Sequence, residues 1–186
     1  GTKIQWCDDT VNPTMGCDGC ELWHHEKGDA AVRRCYAGTL HEMRGGTSTG
    51  YSPTFNVLTR YPDRTLKAAR MPPLTGRRRP KKPWLDGQPR LFFVSDMSDA
   101  LSKAITFEYL EQTVIDVAAG PAGARHVWLW LTKRAERMGE FHAWLANRGV
   151  AWPSNLWMGT SVTSSETKRR ADRLAEAGKG DAGVRR

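Results

Sequence analysis

The sequence predicts an α/β fold: parallel strands joined as right-handed βαβ units, forming a partial (β/α) barrel or an open sheet behind an N-terminal cysteine-rich metal-binding segment. Three observations predict it. Leu91-Phe92-Phe93-Val94 and Val127-Trp128-Leu129-Trp130-Leu131 are uninterrupted apolar runs of strand length, as expected of strands covered on both faces. Each run is followed by a polar turn and then by apolar residues at helical spacing, the alternation that produces crossover connections. All four cysteines fall between Cys7 and Cys35, and such crowding indicates a shared ligand more than scattered buried thiols.

At 186 residues the chain is long enough for one domain with its own core. Residues 1–46 carry the cysteines, 71–90 a basic loop and 91–186 the βα repeats. No run of eighteen apolar residues suggests a transmembrane helix. The first residues lack the charged and apolar regions of a secretory signal, although a start at Gly1-Thr2 without Met hints at trimming. A cytoplasmic setting with reduced thiols follows, which makes disulfides the less expected use of the cysteines.

In chain order, residues 37–44 read as a short helix closed by Gly45-Gly46, and 47–53 as a loop. Phe55-Asn56-Val57-Leu58 reads as a short strand and residues 63–70 as a helix stopped by Pro72-Pro73. A faint echo between residues 58–64 and 131–137 suggests two equivalent βα turns. Five prolines and two glycines exclude a regular element over residues 71–90. There Arg77, Arg78, Arg79, Lys81 and Lys82 concentrate positive charge. Held extended, they could follow a phosphate backbone with Trp84 stacked on a base; otherwise the segment is a mobile surface loop. A net charge of +8 favours the same polyanionic partner, nucleic acid or nucleotide.

Beyond this loop, residues 106–119 form a predicted helix with Phe107, Leu110, Val114 and Val117 on one face. Residues 134–148 form another, with Met138, Phe141 and Leu145 inward and Gly149 as its left-handed cap. A third strand is expected over 156–162. Thr163-Ser164-Ser165-Glu166 has capping-box spacing ahead of a last helix reaching Gly178. Arg186 stands where the alternation next demands a strand, which suggests truncation or an open sheet.

Ligands of parallel α/β folds bind at the carboxyl ends of the strands. Here those ends read Ser95-Asp96-Met97-Ser98-Asp99, Thr132-Lys133-Arg134 and Thr160-Ser161. Helix capping explains one polar residue per turn; it does not explain both Asp96 and Asp99, or Lys133 beside Arg134. A site for a zwitterionic or phosphorylated ligand is the expectation.

Cys17-x2-Cys20 is a chelating pair, and Cys35 returns after a polar insert. Three thiolates on a [4Fe–4S] cluster leave one iron open, whereas Cys7 as a fourth ligand would close the site. Zinc is the competing metal, with Cys7, Cys17, Cys20 and Cys35 as ligands or with His24 or His25 replacing one of them. Spacing indicates metal binding without naming the metal.

Trp6, Asn12-Pro13, Gly16-Cys17, Cys20 and Cys35-Tyr36-Ala37 resemble the phage and bacterial three-cysteine-motif proteins. So do Ser95-Asp96-Met97-Ser98-Asp99-Ala100-Leu101, residues 131–138 and Gly159-Thr160-Ser161-Val162. That group in turn resembles radical S-adenosylmethionine enzymes. The resemblance implies a partial (β/α) barrel, a cluster on Cys17, Cys20 and Cys35 with Tyr36 beside it, and S-adenosylmethionine chelated at the open iron. One-electron reduction would release a deoxyadenosyl radical. It further implies Ser95, Asp96, Ser98, Asp99, Thr132, Lys133, Arg134 and Ser161 as cofactor or substrate contacts, and an external electron donor. The expected function is thus a radical S-adenosylmethionine-like enzyme acting on a nucleic acid or nucleotide. A zinc-stapled, non-catalytic nucleic-acid-binding protein is the alternative, and a degenerate interaction module a third reading. One departure stands out: the superfamily motif is a compact Cys-x3-Cys-x2-Cys, and here fourteen residues delay the third cysteine.

Overall fold

A computed structural model describes residues 1–24, 32–44 and 50–179. Four parallel strands, β1 (Asp9–Val11), β4 (Arg90–Val94), β5 (His126–Thr132) and β6 (Leu156–Thr160), form one sheet in the order β1-β4-β5-β6. The short strands β2 (Thr14–Met15) and β3 (Thr59–Arg60) pair antiparallel beside it. The helices are α1 (Tyr36–Arg44), α2 (Asp63–Ala69), α3 (Phe107–Leu110), α4 (Asp116–Ala119), α5 (Ala135–Asn147) and α6 (Arg169–Glu176). The sheet is open, as one of the two predicted arrangements.

Strand alternation decides where the core sits. Phe92 and Val94 of β4, Trp128 and Trp130 of β5, and Leu156 and Met158 of β6 all face one side. There they meet Leu110, Val114, Met138, Phe141, Leu145 and Leu174 from the helices. Trp128 stacks on Phe92 with centroids 4.7 Å apart, and Trp130 on Trp152 at 6.3 Å. Truncating a fully buried ring such as Phe141 would cost about 3–5 kcal/mol.

The other face differs from the expectation of strands covered on both sides. Val127, Leu129 and Leu131 are only half-buried. On β4, Phe93 is covered by the Trp6 ring at 4.6 Å rather than by a helix. Helices α2 to α6 pack on the first face because the strands are added in sequence order, whereas α1 packs in a separate cluster with Trp23, Phe55 and Met97.

Several local expectations change, among them the third strand, which ends at Thr160 rather than at 162. The strand expected at 55–58 lies at Thr59–Arg60, because Phe55 is used instead in a buried cluster with Trp23, Met15 and Met97. The echoed stretches 58–64 and 131–137 each lead from a strand into a helix, β3 into α2 and β5 into α5. However, β3 lies in the two-stranded sheet and β5 in the parallel one, so the two turns are not equivalent in the sheet. The helix expected over 106–119 is interrupted by a π-helical turn, Glu111–Ile115, between α3 and α4. Gly149, with φ +72°, ends α5 as expected. The predicted capping box forms one residue on, between Ser164 and Thr167.

The basic segment 71–90 is anchored. The Arg79 guanidinium is buried, paired with Asp8 (Nε to Oδ1, 2.7 Å), and donates to the carbonyls of Leu85, Gln88 and Pro89. Lys82 Nζ donates to the carbonyls of Thr2, Ile4 and Cys7. One turn of 3-10 helix, Pro83–Leu85, forms within the segment, against the expectation of no regular element there, Pro83 fitting the first position of the turn.

Candidate functional site

The carboxyl ends of β4, β5 and β6 and the cysteine segment enclose a cavity of about 210 Å³. Cys17, Cys20 and Cys35 line it together with Ser95, Asp96, Ser98, Asp99, Thr132, Lys133, Arg134 and Ser161. Thus the residues expected from the cysteine spacing and from the strand ends meet at one place. Cys7 does not line it; this thiol is wholly buried, and burial pushes its pKa up to about 12. None of the four cysteines is in a disulfide. Among the described residues, no three Cys, His, Asp or Glu side chains stand close enough to grip one metal ion. His24 is exposed, and His25 lies outside the described residues.

Local backbone geometry sets the cysteine loop. Gly16 has φ +85°, and a Cβ there would meet the Val57 carbonyl oxygen at 2.2 Å, so only glycine lets the chain pass. The next residue, Cys17, donates its N–H to the Phe55 carbonyl at 2.6 Å. Cys20 and Trp23 exchange backbone hydrogen bonds at 3.0 and 2.9 Å. Two further bonds, His24 N–H to the Val32 carbonyl (3.1 Å) and Arg34 N–H to the Leu22 carbonyl (2.8 Å), pair the incoming and outgoing chain. The insert that delays Cys35 in sequence is therefore pinched at its base, and Cys35 returns to the wall that carries Cys20.

Polar contacts at the ends of β4, β5 and β6 tie this segment to the sheet. Past β4, the Tyr36 hydroxyl donates to the Asp96 carbonyl. Past β5, Arg134 pairs with Asp99 (3.0 Å) and with Asp18, donates to the Gly19 carbonyl (3.2 Å), and Ser102 also donates to Asp18 (2.6 Å). Past β6, Arg170 binds both carboxylate oxygens of Glu21 at 2.8 and 2.7 Å, with Thr163 donating at 2.6 Å. Hydrogen bonds from Arg170 lower the Glu21 pKa to about 2. Asp18, Glu21 and Arg170 were not legible as site residues, because their partners across the site lie between 84 and 149 residues away.

The same geometry sorts the predicted contacts. The Asp99 carboxylate accepts from Thr132 Oγ1, Lys133 N and Leu101 N besides Arg134, so Asp99, Thr132 and Arg134 are occupied in holding the rim together. Burial opposes the charge on Arg134, yet Asp99 and Asp18 raise its pKa. Ser98 donates to the Thr14 carbonyl at 2.8 Å and positions β2. Asp96 accepts from Asn12 Nδ2 at 2.5 Å; burial nevertheless raises its pKa. The Lys133 ammonium makes no hydrogen bond or ion pair among the described residues, and its charge lowers the Cys20 pKa against the larger effect of burial. Ser161 donates its N–H to the Thr132 carbonyl, and its own carbonyl accepts from Arg170.

Ser95 is the least compensated residue of the wall. Its φ of +69° is the only positive value at a non-glycine residue among those described, and its buried Oγ has no hydrogen-bond partner. Strained backbone and an orphaned hydroxyl at the end of a parallel strand are the marks of a position shaped for a ligand.

Of the residues expected to contact nucleic acid, Arg79 and Lys82 are corrected: both are turned onto the chain's own N-terminal segment. Arg77, Arg78, Lys81 and Trp84 are exposed, and the Trp84 indole donates to the Gln5 carbonyl at 2.7 Å.

Residues 1–185 match the model of a family described as protein of unknown function (DUF5131). The chain belongs to that family. No curated protein and no solved structure matches it. The family match spans the cysteine loop, the anchored basic segment and all four strand ends, so the cavity lies within the family's shared region. Among the described residues, no helix is long and apolar enough to cross a membrane.

Proposed function

We propose that this protein is an iron–sulfur enzyme of the radical S-adenosylmethionine-like type, acting on a nucleic acid or nucleotide. One observation carries the reading: Cys17, Cys20 and Cys35 line a single cavity at the strand ends, while Cys7 is buried outside it. The donor set fits a three-thiolate cluster. A tetrahedral zinc site needs its sulfurs about 3.8 Å apart, from Zn–S bonds of about 2.3 Å, whereas in a cubane each thiolate binds a different iron and the sulfurs spread further. Three thiols distributed round one cavity suit the second arrangement better.

When bound, the cluster with S-adenosylmethionine would supply one-electron chemistry, fed by an external donor. The chain's own residues bind, orient and exclude water. Ser95 Oγ has a hydrogen bond left to give. Lys133 offers an uncompensated positive charge to a carboxylate or phosphate. Phe93, Leu131 and Tyr36 supply an apolar wall beside the thiols. The contacts through Arg134 and Arg170 hold Asp18 and Glu21, on either side of Cys20, against the rim.

The test is anaerobic reconstitution followed by iron, sulfide and zinc analysis. About four irons and four sulfides per chain are expected, lost in Cys17→Ser, Cys20→Ser or Cys35→Ser and retained in Cys7→Ser. Stoichiometric zinc without sulfide, or equal loss in Cys7→Ser, would overturn the proposal.

A further inference from the structure

Beside the cysteine cavity lies a smaller recess of about 120 Å³, where five cationic side chains face a single carboxylate, Glu136. Arg134 is neutralised by Asp18 and Asp99, Arg170 by Glu21, and Arg173 by Glu136 at 3.7 Å and Glu176 at 3.3 Å. The side chains of Lys133 and Arg169 make no hydrogen bond or ion pair among the described residues. Both charges therefore remain for an anion, in a pocket whose other cations leave little room for a counter-carboxylate from the chain itself. Lys133 lines the cysteine cavity as well, so an anion in the recess stands at the edge of the candidate site.

We infer that this recess binds a phosphate of the substrate, as a nucleotide monoester or a nucleic-acid diester, with the attached nucleoside directed past Lys133 toward the thiols. Guanidinium forks match phosphate oxygens in pairs, and the Lys133 ammonium acts as a point charge. The inference rests on the nucleotide or nucleic-acid substrate proposed above and is independent of the cluster. It also separates two basic regions. The exposed edge of the 71–90 segment offers charge without a concave site, whereas the recess gathers the Lys133 and Arg169 charges in a concavity next to the candidate site.

The experiment is calorimetric titration at fixed ionic strength with adenosine 5′-monophosphate, adenosine, and a ten-nucleotide single-stranded DNA. Arg169→Gln is expected to weaken the monophosphate about tenfold and to leave adenosine unchanged. Lys133→Gln with Arg169→Gln should reduce the salt slope for DNA by about two. Neutralising Arg77, Arg78 and Lys81 should leave the monophosphate unaffected. Monophosphate binding that survives the Lys133 and Arg169 substitutions, is lost only with the 71–90 charges, or is absent in the unaltered protein overturns the inference. Weakening of DNA without weakening of the monophosphate does so for the nucleotide, and the reverse pattern identifies a mononucleotide substrate. The Cys17→Ser protein judges the two readings apart, since it should lack iron and still bind the phosphate.

Discussion

The backbone N–H of Arg34 donates to the carbonyl of Leu22 at 2.8 Å, and this pairing returns Cys35 to the wall that holds Cys20. Fourteen residues separate those cysteines along the chain, but the pinch at residues 22–24 and 32–34 removes most of that separation in space. The bond uses backbone alone. Arg34→Pro deletes the donor and is expected to abolish iron loading, while Arg34→Ala, which keeps it, loads as the unaltered protein does. Equal iron per chain in the two variants would show that the pairing does not position Cys35.

A buried ion pair, not flexibility, governs the basic segment. Arg79→Met would leave Asp8 buried and uncompensated and is expected to cost about 3–5 kcal/mol. Substituting the exposed Arg77, Arg78 and Lys81 by Gln should change stability by no more than about 0.5 kcal/mol. Urea denaturation of the two variants gives the comparison; similar midpoints would refute the distinction.

Ser95 sets stability against function. Its buried hydroxyl lacks a partner among the described residues, so Ser95→Ala is expected to raise stability by about 1 kcal/mol while weakening cofactor or substrate binding. A destabilised Ser95→Ala protein would mean that the hydroxyl is already satisfied. Thermal denaturation and ligand titration on one preparation decide it.

His126 introduces an acid-side dependence remote from the site. Its Nε2 donates to the Ala69 carbonyl at 3.0 Å, its Nδ1 is buried without a hydrogen-bond partner among the described residues, and burial lowers its pKa below the ordinary 6.5. The unfolded chain therefore takes up the proton first as pH falls. Stability from the neutral ring is complete above pH 6.5 and declines below it, until the folded form also protonates. His126→Gln should lose less melting temperature between pH 7.5 and 5.5 than the unaltered protein. Identical losses would remove His126 as the cause.

The strands and helices of residues 90–178 were largely legible, because Phe92, Trp128, Trp130, Met138 and Phe141 impose a local period that the fold preserves. The convergence of the cysteines with Ser95, Asp96 and Lys133 was legible as well, from the rule that parallel strands gather their ligands at one end. The occupation of Arg134 by Asp18 and Asp99 was not, nor that of Arg79 by Asp8. A charged residue looks the same in sequence whether its partner is solvent, a ligand or a carboxylate seventy residues away.

Read alone, the chain determined its α/β class, its strand order of polar ends and the cysteines that share a region, since each follows from periodicity or spacing within a short window. Tertiary structure alone decided which cations are spent and which remain, that Cys7 stands apart, and that Cys35 rejoins Cys20. Those outcomes depend on burial and on pairing between distant residues, where desolvation makes an unpartnered charge or hydroxyl costly and only the folded arrangement supplies the partner.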